Sequence, residues 1–548
     1  MITFGEVARR AGGWLPLIGL AGLAGGIGTL ALPTVLGHAV DALITGHSSV
    51  FWVVIAGTLI ALNVALDVVD AYAGTACVAG TTAWLRDRVV RHVLAIGPSR
   101  SGQFETGDLV TRVSGSAVEA AQAGPAAVTT LSASLPPIGS LVLLALIDPW
   151  LALALLAGLA LVVGVLRTFA LRSTEVMVAY QRTQGTIAAR LAESLGGART
   201  IAAAGTAGAE ERRVLADLPE LHEHGVGTWN VLARSSAQAT LVGPLVLVAV
   251  LAAGGIELLR GEISPGELFA ASQYAVIGGG LGTLTGVFSR LARAKAGVRR
   301  VGEVLAAEPL SYGTASLPDG PGTVEFRGVT VRAGDAVLLE DVQLTVPGGA
   351  AVAVVGASGA GKSVLAEVAA RLRTPDEGEI LLDGVALAEL DHDSLRTAVG
   401  CAFERPVLVG ASIGDAVAAG REVDVRASAR AMHADEFVNR LPDGYATPLS
   451  EAPMSGGEYQ RLGLARAWPA QRLLVLDDAT SSVDMVTEMQ IARTLTDDHG
   501  GRTRLIVTHR AATAAHADLV VWLVKGKVAA TGTHDELWAR PGYREVFG

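Results

Sequence analysis

Six long stretches near the start of the chain contain no Asp, Glu, Lys or Arg, and they constrain the fold more than any other feature. A helix needs about 20 apolar residues to cross the hydrocarbon core of a bilayer, because it rises about 1.5 Å per residue. Each stretch is long enough, or nearly so. They cover residues 11–40, 42–66, 120–147, 149–166, 235–256 and 268–289. The sequence therefore predicts an all-α membrane domain of six spanning helices over residues 1–305.

Basic residues indicate which side of the membrane each connection faces, since Lys and Arg are concentrated in cytoplasmic loops. The loops around Gly46, Asp148 and Gly261 carry only Arg260. The alternate segments carry Arg9, Arg10, Arg86, Arg88, Arg91, Arg112, Arg172, Arg182, Arg190, Arg199, Arg212, Arg213, Arg290, Arg293, Lys295, Arg299 and Arg300. We therefore expect a multi-pass protein of the cell membrane, surrounded by membrane lipid, with both termini cytoplasmic.

The remainder of the 548-residue chain must form at least one further domain, because the chain is too long for a single core. Residues 306–322 are rich in Pro, Gly and Ser and are predicted to be a linker. Short apolar runs at 324–326, 329–331, 337–339 and 342–346 then predict strands, and strand and helix patterns alternate to the end. This alternation predicts an α/β domain with a parallel core over 323–548.

Composition excludes some functions. The net charge of −10 argues against a nucleic-acid partner. The two cysteines, Cys77 and Cys401, are far apart and support neither a disulfide framework nor a zinc cluster.

The second predicted domain contains a phosphate loop. The motif G-x-x-x-x-G-K-S lies between a β-branched run and a helical run, which is the context that this loop requires. Its backbone N–H groups would surround phosphate oxygens. Lys362 would reach the β- and γ-phosphates, and Ser363 would hold Mg²⁺. The predicted binding residues are Gly356, Ala357, Ser358, Gly359, Ala360, Gly361, Lys362 and Ser363.

Two carboxylates follow an apolar run at 473–476. A carboxylate at the end of a strand beside a phosphate loop suits Mg²⁺, either directly or through water, and we assign this role to Asp477. Asp478 is then positioned to polarise an attacking water.

Three further motifs complete an ordered set. Met454-Ser455-Gly456-Gly457-Glu458 precedes a helical run, residues 481–484 read Ser-Ser-Val-Asp, and a strand pattern ends at His509. With the phosphate loop, this set resembles the ABC ATPases over roughly 230 residues. The resemblance implies that ATP and Mg²⁺ are bound. It also implies that Ser455, Gly456 and Gly457 close over the γ-phosphate of ATP in the opposite subunit, and that His509 contacts the γ-phosphate.

The membrane half resembles the six-helix domain of ABC exporters. The two long cytoplasmic connections, 89–124 and 172–234, read as helical arms around short bends. They contain the stretches 103–112 and 191–201, which match this layout. By resemblance, coupling helices that dock on ATPase domains are expected near 106–114 and 197–204.

Four departures from the family pattern accompany these matches. Ala333 stands where an aromatic residue usually stacks on adenine, and Glu404 occupies the position of the Q-loop glutamine. By resemblance Glu404 could still meet Mg²⁺ near the reacting phosphate. The signature begins with Met454 and ends in Glu458 instead of Leu and Gln. Asp478 replaces the usual catalytic glutamate, which is a mark of the weak site in heterodimeric exporters; the alternative is a homodimer that hydrolyses ATP slowly.

The predicted function is ATP-driven export of an unidentified drug, lipid or modified peptide by a half-transporter that pairs with a second half-transporter. One alternative is a mainly regulatory ATP-binding subunit. Another is a siderophore-type importer, which ranks lower because we see no fused binding protein or siderophore-handling domain. Asp67 and Asp70 lie three residues apart, so they share a helix face. They either face a cavity or already lie in water at the membrane interface, and the second interpretation is favoured.

Overall fold

The computed structural model describes residues 2–97, 104–279, 282–496 and 501–547. Gln103 of the first predicted coupling stretch, and residues 280–281 of the sixth predicted span, lie outside the described residues. The chain forms two compact units. The first contains the residues up to Arg91 and Thr106–Ala306, and the second contains His92–Glu105 and the residues from Ala307 onward.

The first unit is built from helices. They are α1 Phe4–Arg10, α2 Trp14–Ile44, α3 Val50–Ile96, α4 Thr106–Thr111, a π-helical turn Arg112–Ser116, α5 Ala117–Ala121, α6 Ala123–Ile147, α7 Pro149–Gly196, α8 Ala198–Ala204, α9 Ala207–Val214, α10 Leu218–Arg260, α11 Pro265–Gly279 and α12 Gly282–Ala306. Within the described residues, four helical stretches are long and apolar enough to cross a membrane, namely Trp14–Ile44, Val50–Ile96, Thr106–Ile147 and Gly243–Arg260, and Pro149–Ala160 is a shorter apolar one. The predicted helical membrane domain is confirmed.

The first turn between spans lies around Gly46, where the sequence predicts a loop, although the charge-free stretches place the boundary between the two spans earlier. The second span was expected at 42–66, but α2 continues to Ile44 and α3 begins at Val50. The turn contains Gly46 with φ of +75°, a conformation that glycine adopts without steric cost. A charge-free stretch does not show where a helix inside it ends, because both sides of the turn are equally apolar.

Short helices occur where the coupling helices are predicted, as α4 and α8. Ion pairs connect the first of them to α12. Arg112 Nε donates to Asp108 Oδ2 at 2.7 Å, and Arg112 Nη1 donates to Glu303 Oε2 at 2.8 Å. Arg300 Nη2 reaches the other oxygen of Asp108 at 2.8 Å. The first connection is therefore held to the last helix of the unit through charged side chains.

Helices α2 and α11 are in close contact. Asp41 Oδ1 accepts a hydrogen bond from the N–H of Gly266 at 2.7 Å. A Cβ added at Gly266 would lie 2.1 Å from the carbonyl oxygen of Gly37, so the backbones leave no room for a side chain there. Farther along α11, the buried Tyr274 hydroxyl lies 2.5 Å from Thr34 Oγ1. These contacts hold α11 against α2 at two positions along the helices.

The described residues of the second unit form ten strands and a set of short helices. The strands are β1 Val324–Ala333, β2 Ala336–Val346, β3 Ala351–Val355, β4 Glu377–Leu382, β5 Val385–Ala386, β6 Val399–Phe403, β7 Leu473–Asp477, β8 Thr503–Val507, β9 Leu519–Val524 and β10 Lys527–Gly532. The helices are α13 Lys362–Ala369, α14 His392–Ala398, α15 Ile413–Ala418, α16 Val425–Ala431, α17 Asp435–Val438, α18 Gly456–Ala467, α19 Met485–Thr496, α20 Ala511–Ala515, α21 His534–Trp538 and α22 Pro541–Arg544, with 3₁₀ turns at Gly444–Ala446 and Glu545–Phe547.

A six-stranded sheet in the order β10-β9-β3-β8-β7-β6 forms the centre of this unit. Strand β3 pairs in parallel with β8 and β9, and β7 pairs in parallel with β6 and β8. All five residues of β3 are buried, as expected for a parallel strand covered on both faces. The α/β fold with a parallel core is therefore confirmed, and the carboxyl ends of β3, β7 and β8 lie on the same edge.

A second, four-stranded sheet has the order β2-β1-β4-β5. The four short strands predicted at its start are two longer strands, β1 and β2, whose pairing shifts register between Phe326 and Arg332. These irregularities interrupt the alternation of apolar and polar residues, which is why the sequence suggested separate strands. The residues predicted as a linker also pair with this unit, since the N–H of Gly313 donates to Leu390 O at 3.0 Å.

Candidate functional site

The phosphate loop joins β3 to α13. Gly359 and Gly361 have φ of +78° and +97°, which residues with a side chain rarely adopt. A Cβ at Gly361 would lie 2.7 Å from the carbonyl oxygen of Leu338, so space as well as conformation requires glycine here. Helix α13 begins at Lys362, and its first N–H groups therefore point toward the loop. This arrangement of backbone donors is suited to a phosphate chain.

Lys362 lies inside the curve of this loop. Its Nζ donates to the carbonyl oxygens of Gly356 at 2.9 Å and Ala357 at 3.0 Å, and only 6% of the residue is exposed. Burial lowers the pKa of Lys362, while the charges of Asp478 and Asp477 act in the opposite direction. A buried ammonium group beside backbone carbonyls gains strongly from a phosphate within reach.

Ser363 and Asp477 meet at the end of β7. Ser363 Oγ donates to Asp477 Oδ1 at 3.1 Å, and burial raises the pKa of Asp477. Within the described ranges, no cluster of three or more His, Cys, Asp or Glu side chains is arranged for a metal ion. A hydroxyl and a carboxylate nevertheless fit Mg²⁺, which takes one or two protein oxygens and completes its shell with substrate phosphates and water. Ser363 and Asp477 would hold the ion here.

Asp478 and His509 form the next pair. His509 Nε2 lies 3.5 Å from Asp478 Oδ2, because β7 and β8 end side by side. Asp478 has φ of +47°, an uncommon value for a residue with a side chain. Burial raises the pKa of Asp478, and the charges of His509 and Lys362 oppose this effect. A raised pKa makes this carboxylate a better proton acceptor than an ordinary aspartate.

Glu404 follows β6 and is exposed. Its negative charge contributes to the raised pKa of both Asp477 and Asp478. Glu404 is thus close enough to Asp477 and Asp478 for its charge to change the pKa of both carboxylates. No hydrogen bond links its side chain to either one among the described residues.

Gln460 was missed by sequence reasoning. It is 2% exposed, and its Nε2 donates to Glu404 O at 2.7 Å and to Ser481 Oγ at 2.8 Å. Its Oε1 accepts from the N–H of Ser482 at 2.8 Å. One buried amide therefore connects the segment of Glu404, the signature helix α18 and the Ser-Ser-Val-Asp segment at 481–484. The available signal was a polar residue among the Leu, Gly and Ala residues of the buried face of α18.

The signature residues form the start of α18. Ser455 is the N-cap, and its Oγ and its N–H both donate to Glu458 Oε2, at 2.8 and 2.7 Å. This is a capping box, in which Glu458 is the acidic residue at the third helical position. A Cβ at Gly457 would lie 2.9 Å from the carbonyl oxygen of Ser482, so that glycine is required. Ala333, the position expected to face adenine, lies at the hairpin end of β1 opposite Ala336.

Comparison with known proteins identifies the family of the chain. The family model for the ABC transporter transmembrane region matches residues 15–279, and the model for the ABC transporter matches residues 339–481. The ABC transporter ATP-binding protein RamA of Streptomyces coelicolor is 46% identical over 97% of this chain and 85% of that protein. The chain belongs to the ABC transporter family. Its second domain therefore binds ATP and couples ATP hydrolysis to transport, and half-transporters of this kind work as dimers.

Two other relatives bear on the direction of transport. The mycobactin import ATP-binding/permease protein IrtB of Mycolicibacterium smegmatis is 34% identical over 76% of this transporter chain and 74% of that protein. A solved structure of a bacterial Atm1-family ABC exporter with ATP bound is 25% identical, has a TM-score of 0.79, and covers 99% of this chain and 98% of that one. The transporter therefore has the exporter-type fold.

Proposed function

We propose that this subunit exports its substrate from the cytoplasm as one half of a heterodimer and that its own nucleotide site hydrolyses ATP slowly. The observation that carries the proposal is the side chain at position 478. Asp478 directly follows β7, where the family pattern has glutamate, and one methylene less would set its carboxylate back from the attacking water. The distance of 3.5 Å between Asp478 Oδ2 and His509 Nε2 supports a role of Asp478 in the reaction, and its shorter side chain is the reason that we propose a slow site.

The other site residues have the following roles in this proposal. The loop from Gly356 to Ser363 holds the ATP phosphates, and Ser363, Asp477 and Glu404 hold Mg²⁺ directly or through water. Asp478, Glu404 and His509 surround the γ-phosphate. Ser455, Gly456 and Gly457 act across the dimer, on the ATP of the partner's competent site.

The membrane arrangement follows the distribution of basic residues. Residues 1–305 form the membrane domain in the cell membrane, 306–322 the linker, and 323–548 the ATPase domain, with both termini in the cytoplasm. Export is favoured over import because the exporter-type structure covers 99% of this chain, whereas the likeness to IrtB covers 76%.

The test compares the chain alone with the chain assembled with a second half-transporter that carries glutamate at the position of Asp478. We expect slow ATP hydrolysis by the chain alone and at least about tenfold faster hydrolysis by the pair, because a misplaced base costs at least 1.4 kcal/mol of transition-state stabilisation. Asp478→Glu should accelerate the chain alone. Equal rates for the chain alone and for the pair would favour the slow homodimer.

A further inference from the structure

The linker that follows α12 is attached to the second unit by a tyrosine packed against two arginines. The guanidinium carbons of Arg371 and Arg396 lie 5.8 and 6.0 Å from the centre of the Tyr312 ring. Arg396 Nη2 also donates to the Tyr312 hydroxyl at 3.1 Å. A cation over the face of an aromatic ring is attracted by the negative charge of that face. We call Tyr312, Arg371 and Arg396 the linker clamp.

Arg371 is the buried member of the linker clamp. It is only 5% exposed, and among the described residues no carboxylate pairs with it. Its Nη2 donates to the linker carbonyl of Ser311 at 2.6 Å, and its Nε has no hydrogen-bond partner within the part of the chain that the structure describes. A buried charge needs compensating groups, and here the linker supplies two of them, a carbonyl oxygen and the Tyr312 ring. The linker is therefore part of the folded ATPase domain.

The linker clamp is built on the carboxyl end of α13. Arg396 Nη1 donates to the carbonyl oxygen of Ala370 at 3.0 Å, and its Nη2 donates to that of Arg371 at 3.2 Å. The last carbonyl groups of a helix have no partner within the helix, and a cation suits them. Helix α13 has eight residues and begins at Lys362, so about 12 Å separates the phosphate loop from the linker clamp.

The start of the linker is attached to α3. The N–H of Leu310 donates to the carbonyl oxygen of Ala95 at 2.9 Å, and His92 Nε2 donates to that of Ala307 at 2.8 Å. His92 and Ala95 lie in the last two turns of α3, and the second unit begins within this helix, at His92. Contacts inside one compact unit therefore connect the end of α3, the linker and α13.

Backbone pairing holds the linker on the other side of Tyr312 as well. The N–H of Ala315 donates to Glu389 O, and the N–H of Asp391 donates to Ala315 O, both at 2.9 Å. A Cβ added at Gly313 would overlap the same carbonyl oxygen of Glu389, so the linker lies directly against this segment. The linker is thus fixed both before and after Tyr312.

We propose that Tyr312 is a positioning residue that joins the cytoplasmic end of α3 to α13 of the same chain, so that the two move as one body when ATP binds or leaves. A movement of the phosphate-loop helix then reaches α3 through the linker, in addition to any route through the coupling helices expected by resemblance. This inference goes beyond the proposed function, and it is the same whether the partner is a second copy or a different half-transporter.

The test measures the distance between two spin labels by pulsed electron paramagnetic resonance, with the full-length protein in lipid nanodiscs. The labels are attached to Leu94→Cys on α3 and Ala539→Cys after α21, both exposed positions, with Cys77 and Cys401 replaced by serine. Dilution with unlabelled chain removes distances between subunits. We expect one narrow distribution with the same mean in the absence of nucleotide and with Mg-ATP. A mean that shifts when Mg-ATP is added would overturn the proposal.

Tyr312→Ala removes the ring and its hydrogen bond, so the distribution should become at least about twofold wider, because a segment with fewer contacts opens independently. Tyr312→Phe keeps the ring against both guanidinium groups and should restore the narrow distribution. Both variants should bind Mg-ATP as the parent does, since Lys362 and its loop are unchanged, whereas general loss of the fold would also remove ATP binding. A narrow distribution in ATP-binding Tyr312→Ala would identify the linker as a simple tether.

Tyr445→Ala is the matched control. The Tyr445 ring also lies against a guanidinium group, with Arg426 Cζ at 5.3 Å, and its hydroxyl donates to Asp435 Oδ1 at 2.6 Å. Its removal should leave the distance between the labels unchanged. The comparison of nucleotide states in the labelled parent needs no such variant, so it decides the question even if Tyr312→Ala does not fold. No readout depends on the rate of hydrolysis, so failure of the slow-site proposal would leave these outcomes unchanged.

Discussion

Ser455 Oγ lies 2.8 Å from Glu458 Oε2, so the serine expected to meet the partner's γ-phosphate is already bound to a carboxylate. In this capping box, glutamate and glutamine are structurally interchangeable. They differ in charge, and a negative charge beside the phosphate opposes closure of the dimer.

Glu458→Gln should therefore raise the ATP hydrolysis of the assembled pair about two- to fivefold, because the substitution keeps the cap and removes the charge. The measurement is the ATPase rate at increasing ATP concentration. Glu458→Ala is the control, since it removes both the charge and the cap and should also destabilise α18 by about 1 kcal/mol. A lower rate in Glu458→Gln would show that the carboxylate itself is needed.

Asp478→Asn should leave most of the ATPase activity of the assembled pair, because in the proposed heterodimer the partner's site carries the turnover. Ser455→Arg should abolish it, since a bulky side chain occupies the place where the partner's γ-phosphate docks. Removing one stabilising donor at a transition-state charge already costs about a hundredfold. If Asp478→Asn stops turnover, Asp478 is the working base and the slow homodimer is the better interpretation.

Lys362→Ala should weaken binding of Mg-ATP about ten- to a hundredfold, because a charged hydrogen bond to phosphate contributes about 1.5–3 kcal/mol. Binding is measured in detergent by fluorescence of a labelled ATP analogue. Lys527→Ala is the matched control: Lys527 is exposed and pairs with Glu340 on β2, outside the phosphate loop. Unchanged binding by Lys362→Ala would contradict the assignment of the loop.

The orientation in the membrane can be tested with cysteines on the two sides. In a background with Cys77 and Cys401 replaced by serine, Ser48→Cys should react with an impermeant thiol reagent added to intact cells. Ser114→Cys is also exposed on the protein, but it should react only after the cells are opened. The reverse pattern would contradict the orientation inferred from the basic residues.

Cys401 should be slow to alkylate at neutral pH. Burial raises its pKa to about 11, and only the thiolate reacts. At pH 8 the thiolate fraction is about 0.001, a few hundredfold below that of an ordinary cysteine, and the rate should rise about tenfold per pH unit up to pH 10. The rate of alkylation of Cys401 is measured by mass spectrometry of the modified peptide, and the urea-unfolded chain serves as the reference. Fast modification of the folded protein at pH 8 would be the contrary result.

The parts of the site that depend on chain order were predictable. The phosphate loop, Asp477 and His509 each follow an apolar strand, and parallel strands bring their carboxyl ends to one edge. Contacts such as Ser363 Oγ to Asp477 Oδ1 follow from this rule although 114 residues separate the two side chains.

Features set by tertiary packing were not predictable. Gln460 connects three segments that are remote in sequence, and its position in the sequence does not indicate which residues it contacts. The charge of Asp70 was noted, but the sequence could not show that it lines a groove of this chain whereas Asp67 does not. The shifts of register in β1 likewise depend on pairing with β2 and not on the local pattern.

The close contact between α2 and α11 has a consequence for protein engineering. Gly37 and Gly266 touch through their backbones, and Asp41 and Tyr274 secure the contact on either side. A chimera that takes α2 from a relative and keeps α11 would place unmatched surfaces where not even a methyl group can be accommodated. The two helices, more than 200 residues apart in the gene, should therefore be exchanged together.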